Sequence, residues 1–315
     1  IALVLNLFSI QMVAFEKVLH EHKPDWVVVV GDVNATLACS ITAKKENIKC
    51  CHIEAGLRSG DMGMPEEINR LVTDRLSDLL LAPDPISVKN LKDEGVDERR
   101  LEFVGNIMID TLESNRSNAE LLEFEKILSD NVLDENKFKI EEVEPWKKYG
   151  LITMHRPSNV DDKLIFTNIV RWIMEKASSH MRFIWPIHPR TVKQAKHFGV
   201  WEDIIQSDEI LLMHPIGYLE MLHLNMHANL MLTDSGGLQE ECCVLGTPFL
   251  TLRWNTERPV TLIENGGAGY LVGNNIEDIN REFEQLLLEN RNPVKPELWD
   301  GNTAFRCVQA ILKYK

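Results

Sequence analysis

The feature that most restricts the fold is a unit that keeps returning: a short apolar run, a stop at Gly, Pro or a polar cluster, then a helical stretch. Trp26 to Val30 stops at Gly31, the run 48–53 stops at Glu54 and Gly56, 78–83 closes on Pro83, and 101–104 meets Gly105. Helical patterns follow at 35–45, 66–76, 87–94 and 108–112, the third stopped by Gly95. A second series opens with a strand at 149–154. It continues as helix 161–178, strand 182–187, helix 191–198, strand 210–213, helix 218–226, strand 229–232, helix 238–245, strands 248–252 and 270–272, and helix 276–289. Helices at 1–20 and 303–314 flank the whole. Strands separated by helices form parallel sheets covered on both faces, so the class is α/β. No repeat of solenoid length is present.

A length of 315 residues suits two domains. The alternation fades between 113 and 147, where charged clusters take over, and the junction is expected there: one domain over 1–120, a second over 145–299. The net charge of −14 argues against general nucleic-acid binding, which needs a basic surface. The apolar runs are too short to cross a membrane. Six Cys include the adjacent pairs Cys50–Cys51 and Cys242–Cys243, which suit neither disulfides nor zinc spacing. They read as buried thiols in a reducing, cytoplasmic setting, and no signal-peptide pattern is visible.

Chemistry gathers where the strands end. Asp32 follows Gly31, and Asn34 is expected to cap the next helix. Beyond the second strand, His52, Glu54, Arg58, Glu66, Glu67 and Arg70 crowd one loop and a helix start at Pro65. Pro followed by two Glu is what a helix N-terminus favours. In open α/β sheets ligands sit at this edge. Asp32 and Glu54 on neighbouring strands could form a carboxylate pair that divides acid and base work, or could be capping and solvated side chains.

The second series repeats the habit with His155–Asp161, His188-Pro-Arg190, Thr233–Glu241 and Arg253–Arg258. Ser235-Gly236-Gly237 lets backbone approach a ligand, and the helix after it offers free N–H groups to a phosphate; a plain tight turn is the alternative. The stretch is neither a Walker A loop nor a GxGxxG fingerprint. Glu241 could accept from ribose hydroxyls and Arg258 could meet a diphosphate.

These stretches resemble the non-hydrolysing UDP-N-acetylglucosamine 2-epimerases. The resemblance rests on GDVNATLA (31–38), HIEAGLRSGDMGMPEEINR (52–70), VGNIMIDTL (104–112), MHRPSNVD (154–161), PIHPRT (186–191), LTDSGGLQEE (232–241) and NTERPVT (255–261), in that order along nearly the whole chain. It implies a glycosyltransferase-B-like fold, two Rossmann-like domains facing each other across a cleft, with the last helix (300–315) completing the first domain. It implies interconversion of UDP-GlcNAc and UDP-ManNAc without NAD or metal, in the service of surface polysaccharide synthesis, and a homodimer. Related substrates, such as a 2,3-diacetamido uronic acid nucleotide, and a non-catalytic UDP-sugar binder are the alternatives.

Carried over by motif, Asp32, Glu54 and Glu66 surround the sugar, and His155 lies by the diphosphate and the departing sugar. Ser235, Gly236, Gly237, Glu241 and Arg258 hold UDP, and Ile216 and Met221 line a uracil pocket. Arg156 and His188 are assigned to a second, activating UDP-GlcNAc site. The family opens with a strand and a Gly-Thr-Arg-Pro-Glu motif that 1–24 does not resemble, so the N-terminal domain is expected to lack its first strands.

Overall fold

The computed structural model describes residues 2–133, 146, 148–288 and 290–314. In chain order the elements are α1 (Ala2–His22), β1 (Trp26–Val30), α2 (Asn34–Lys45), β2 (Lys49–Ile53), α3 (Pro65–Leu76), β3 (Leu79–Ala82), α4 (Pro85–Asp93), β4 (Leu101–Phe103) and α5 (Ile107–Glu120). Then come α6 (Phe124–Asn131), β5 (Tyr149–Thr153), α7 (Pro157–Val160), α8 (Lys163–Glu175), β6 (Arg182–Pro186), α9 (Pro189–Phe198), α10 (Trp201–Gln206) and β7 (Ile210–Met213). The chain closes with α11 (Tyr218–His227), β8 (Leu230–Thr233), α12 (Gly236–Leu245), β9 (Phe249–Thr251), β10 (Gly269–Leu271), α13 (Ile276–Leu286) and α14 (Thr303–Lys313).

Two compact units result. Unit 1 holds residues 1–111, 257–260 and 296–315, and unit 2 holds 112–256 and 261–295. Part of the expected junction, 134–145 and 147, lies outside the described residues, as does Glu289 at the end of the expected helix 276–289.

Unit 1 is a parallel sheet in the order β1-β2-β3-β4. Val27, Val29 and Cys50 pack against Leu19 of α1 and Ala43 of α2. Cys51, Ile53, Leu79 and Leu81 pack on Cys307 of α14. Asp110 fastens α14 by accepting from the N–H groups of Thr303 (3.0 Å) and Ala304 (2.7 Å). Unit 2 is a six-stranded parallel sheet, β10-β9-β8-β5-β6-β7. The chain runs outward from β5 through β6 to β7, then returns to lay β8, β9 and β10 on the other side. The strand order therefore reverses between β5 and β8, which is where parallel sheets open a binding crevice. Its core holds Phe166, Phe183, Trp185 and Phe283 on one face and Tyr149, Met231 and Phe249 on the other.

Two local expectations are corrected. The expected helix 161–178 is shorter, α8 running Lys163–Glu175 behind the cap Asp162, whose side chain accepts from Leu164 and Ile165, and a separate short helix, α7 (Pro157–Val160), precedes it. Asn34 does not cap α2; Val33 is the N-cap, without a side-chain bond. The Asn34 side-chain oxygen is engaged elsewhere, accepting from the Asn69 amide at 3.1 Å. All six Cys are free thiols, and all but Cys39 are buried. Among the described residues no helix is long and apolar enough to cross a membrane.

Candidate active site

In unit 1 the C-terminal ends of β1 and β2 bring Asp32 and Glu54 to one edge. Gly31 hydrogen-bonds the carbonyl of Ile53 (3.2 Å), which ties the two strand ends together. Gly31 and Glu54 both adopt left-handed backbone, φ 69° and 71°. For Glu this conformation is strained, and such strain persists where surrounding structure enforces it, commonly at functional sites.

Glu54 is buried, and burial pushes its carboxyl above the ordinary range. The Arg258 guanidinium, 4.0 Å away, opposes that rise, and the Asp32 charge adds to it. Arg258 is itself paired with Glu257 at 2.6 Å. Asp32 is held by α3: Arg70 pairs with its carboxylate, and Asn69 donates to its backbone carbonyl at 2.8 Å.

Glu66, in the first turn of α3, is half-buried and makes no side-chain hydrogen bond or ion pair among the described residues. Its neighbour Glu67 is fully engaged. It accepts from the Ser59 N–H (3.0 Å) and hydroxyl (2.9 Å), from the Gly60 N–H (2.9 Å), and from Arg70 (2.7 Å). Burial would raise the Glu67 carboxyl, but these donors hold it below its ordinary value. Glu67 thus shapes the loop between β2 and α3.

In unit 2 the switch between β5 and β8 carries His155 and Asp234. Asp234 is fully buried. Its Oδ2 accepts from the N–H groups of His155 (2.9 Å) and Arg156 (2.8 Å) and from Asn159 Nδ2 (3.1 Å). Its Oδ1 stands 3.2 Å from His155 Nδ1. Burial lowers the His155 pKa, Asp234 opposes this, and the His188 and Arg156 charges push it further down, so the ring is held below its ordinary value. Asp234 Oδ1 is buried without a hydrogen-bond partner, so its contact with the His155 ring is electrostatic, and the backbone N–H bonds to Oδ2 are what fix the residue. Asp234 was invisible as a functional residue in sequence, because its partner lies 79 positions upstream.

Ser235 is the N-cap of α12 and makes no side-chain cap bond, so the N–H groups of the first turn remain available. A methyl group on Gly237 would meet nothing within 4 Å, so backbone there borders open space. Glu241, one turn into the helix, is 7% exposed, and its Oε2 is buried without a hydrogen-bond partner. Burial lifts its pKa to about 7, with the Tyr218 and Asn225 side chains pulling the other way. Ile216, Met221 and Leu238 are half-buried against the core behind this helix. Tyr218 is a further neighbour of Glu241 that sequence reasoning did not single out. His188 is exposed and caps α9, its Nδ1 accepting from the Arg190 N–H at 3.1 Å, with its ring 5.4 Å from that of His155. Arg258 stands in unit 1 beside Glu54, whereas Ser235 to Glu241 belong to unit 2.

A family model described as UDP-N-acetylglucosamine 2-epimerase matches residues 4–312. The chain belongs to the UDP-N-acetylglucosamine 2-epimerase family. A UDP-N-acetylglucosamine 2-epimerase of Methanocaldococcus jannaschii is 41% identical over 304 residues, covering 96% of this chain and 79% of that protein. The crystal structure of Methanocaldococcus jannaschii UDP-GlcNAc 2-epimerase in complex with UDP-GlcNAc and UDP aligns with a TM-score of 0.84. That alignment covers 98% of this chain and 81% of the other, at 41% identity. A UDP-2,3-diacetamido-2,3-dideoxy-D-glucuronate 2-epimerase of Pseudomonas aeruginosa is also similar, 37% identical over 264 residues, covering 83% of this chain and 67% of that protein. It matches less of this 2-epimerase family chain, and at lower identity, than the archaeal enzyme does. The α/β class, the two parallel sheets and the Rossmann-like units agree with the expected glycosyltransferase-B-like fold.

Proposed function

We infer that this protein is an epimerase that interconverts UDP-N-acetylglucosamine and UDP-N-acetylmannosamine. The observation that carries the inference is the buried Glu54, held above its ordinary pKa at a strained strand end beside Asp32 and Arg258, in a chain of this family. Inversion at C2 requires a base that takes the C2 proton and a site that stabilises the departing diphosphate. The C2–H bond breaks toward a carboxylate, and the C1–O bond breaks with its electron pair leaving on UDP. The resulting 2-acetamidoglucal is reprotonated at C2 on the opposite face as UDP returns to C1.

We assign Asp32, Glu54 and Glu66 to proton transfer around C2. The Glu54 carboxyl, raised by burial, is a stronger base than an exposed carboxylate, which suits a group that takes and returns a proton. His155, oriented by Asp234, is assigned to the leaving oxygen. The first-turn N–H groups beyond Ser235, at Gly236 and Gly237, are assigned to the diphosphate, which a helix N-terminus favours. Glu241 is assigned to the ribose hydroxyls, whose donors would satisfy its unpartnered oxygen. Arg258 supplies positive charge, and Ile216 and Met221 supply apolar contact for the base.

Arg156 and His188 belong in the same reading to a second, activating UDP-GlcNAc site; Arg156→Ala and His188→Ala should abolish activation while leaving UDP affinity intact. A homodimer in a reducing, cytoplasmic setting completes the reading, supported for the setting by the free thiols. Sedimentation of the purified protein tests the dimer. The decisive test of activity is incubation with UDP-GlcNAc in D2O: UDP-ManNAc carrying deuterium at C2 is expected, and an unlabelled product would rule out solvent-exchanging proton abstraction.

A further inference from the structure

Beneath the two carboxylates lies a charge that neither the reaction nor the nucleotide uses. His52, on β2, is completely buried. Its Nδ1 stands 2.6 Å from Asp74 Oδ1 of α3, and its Nε2 stands 2.9 Å from the Gly31 carbonyl at the end of β1. A carboxylate and a carbonyl oxygen can only accept, so both ring nitrogens must donate, which requires the imidazolium.

The surroundings agree. Asp74 Oδ2 is occupied by the Gly56 N–H at 3.0 Å and by Arg58 at 2.7 Å, and Arg58 is in turn fixed by Glu94 at 2.7 Å. With three donors around it, Asp74 stays ionised: burial would raise its carboxyl, but His52 and Arg58 hold it below its ordinary value. Burial alone would lower the His52 pKa, yet Asp74 and the Gly31 carbonyl hold it above. The other charges facing His52 are Glu54 at the end of its own strand and, beyond Asp74, Arg58.

We propose that His52 is a buried imidazolium that acts as a positioning residue, latching the Gly31 carbonyl to α3 so that Asp32 and Glu54 are presented together. The latch adds to the ties from α3 to this turn already described, Arg70 to the Asp32 carboxylate, Asn69 to the Asp32 carbonyl and Asn69 to the Asn34 side chain. It acts on the residue directly before Asp32. His52 also lies two residues before Glu54, so its positive charge favours the ionised form of that carboxyl. The proposal rests on the epimerase reading for its consequence, and on geometry alone for the state of the ring.

Two measurements separate those parts. Ring nitrogen NMR of the wild-type chain should show both His52 nitrogens protonated at neutral pH. A neutral ring at pH 7 would overturn the proposal whatever the protein catalyses. With carboxyl-labelled Glu, the Glu54 titration should move to higher pH in His52→Gln and in Asp74→Asn; an unmoved titration in a folded variant would reduce His52 to packing.

The kinetic consequence is a loss in kcat of roughly 10²-fold, the scale expected when reacting groups shift by about an ångström, with UDP affinity unchanged. Wild-type kcat in both folded variants would contradict it. If the wild-type protein shows the doubly protonated ring but no epimerisation, the activity reading fails and the imidazolium stands. Should His52→Gln not fold, Asp74→Asn and the wild-type NMR still decide.

Discussion

In unit 1, Asp32 at the end of β1 and Asp74 on α3 behind it are each held by side-chain cations, Arg70 for one and His52 with Arg58 for the other. At the strand ends of unit 2, Asp234 is held mainly by backbone N–H groups and an amide. The same parallel-sheet edge has been equipped in two ways. Paired side-chain charges fix carboxylates at set positions, which suits proton transfer between aligned groups. Unengaged N–H groups at the start of α12 and a buried carboxyl with an unsatisfied oxygen await donors and negative charge from outside, which suits a nucleotide diphosphate and its ribose.

That contrast can be broken first where the effect is largest. Glu54→Gln and Asp32→Asn should each cut turnover by ~10²–10⁴-fold, the usual loss of a general acid or base, with UDP affinity unchanged. A small loss of turnover together with weak UDP binding would erase the distinction between the units.

Glycine substitutions sharpen it next. Gly56 has φ 86°, and a methyl group there would lie 2.4 Å from the Ser87 carbonyl oxygen. Gly56→Ala should destabilise the fold by ~2–4 kcal/mol, combining overpacking with left-handed strain. Gly237→Ala meets open space and should leave the denaturation midpoint nearly unchanged while weakening UDP. Chemical denaturation and UDP titration of the two variants check both halves.

The smallest effect is one of pH. The free Glu241 carboxyl titrates at about 7, raised by burial from an ordinary 4.5. A folded pKa above the unfolded one means that unit 2 is most stable at low pH and loses that contribution as pH rises from about 4.5 toward 7. Ribose hydroxyls donate to the ionised form, so UDP affinity should fall by about fivefold between pH 7 and pH 6, proton uptake per UDP released rising from about one half toward one. In Glu241→Ala this slope should vanish.

Much of this was legible in the sequence because parallel strands announce themselves as apolar runs. The apolar runs Trp26–Val30 and Ile210–Met213 coincide with β1 and β7 to the residue. Where Pro opens the first turn, at Pro85 and Pro189, the helices begin two residues before the expected starts at 87 and 191, since Pro there also looks like a breaker. The short helices α6 and α10 leave no mark in the sequence pattern, because neither is long enough to show a period.

The polar ends of the strands were visible as a set, but their pairings were not. Asp74 and His52 are 22 positions apart, and His155 and Asp234 nearly four times that. Only the packing of α3 on β2 and the register of β5 on β8 bring such residues together. Adjacent carboxylates posed a different problem. No spacing rule says which of Glu66 and Glu67 turns inward, and it is Glu67 that α3 buries under Arg70.

The central claim is the division of labour between the two sheet edges, and one paired measurement tests it most directly. UDP dissociation constants and the rate of C2 deuterium exchange should be determined together for the wild type, Glu54→Gln and Glu241→Ala. Glu54→Gln should lose exchange and keep UDP affinity. Glu241→Ala should bind UDP about 10–100-fold more weakly, as expected for losing hydrogen bonds to a charged group, yet exchange at saturation near the wild-type rate. Parallel losses of binding and exchange in both variants would contradict the account.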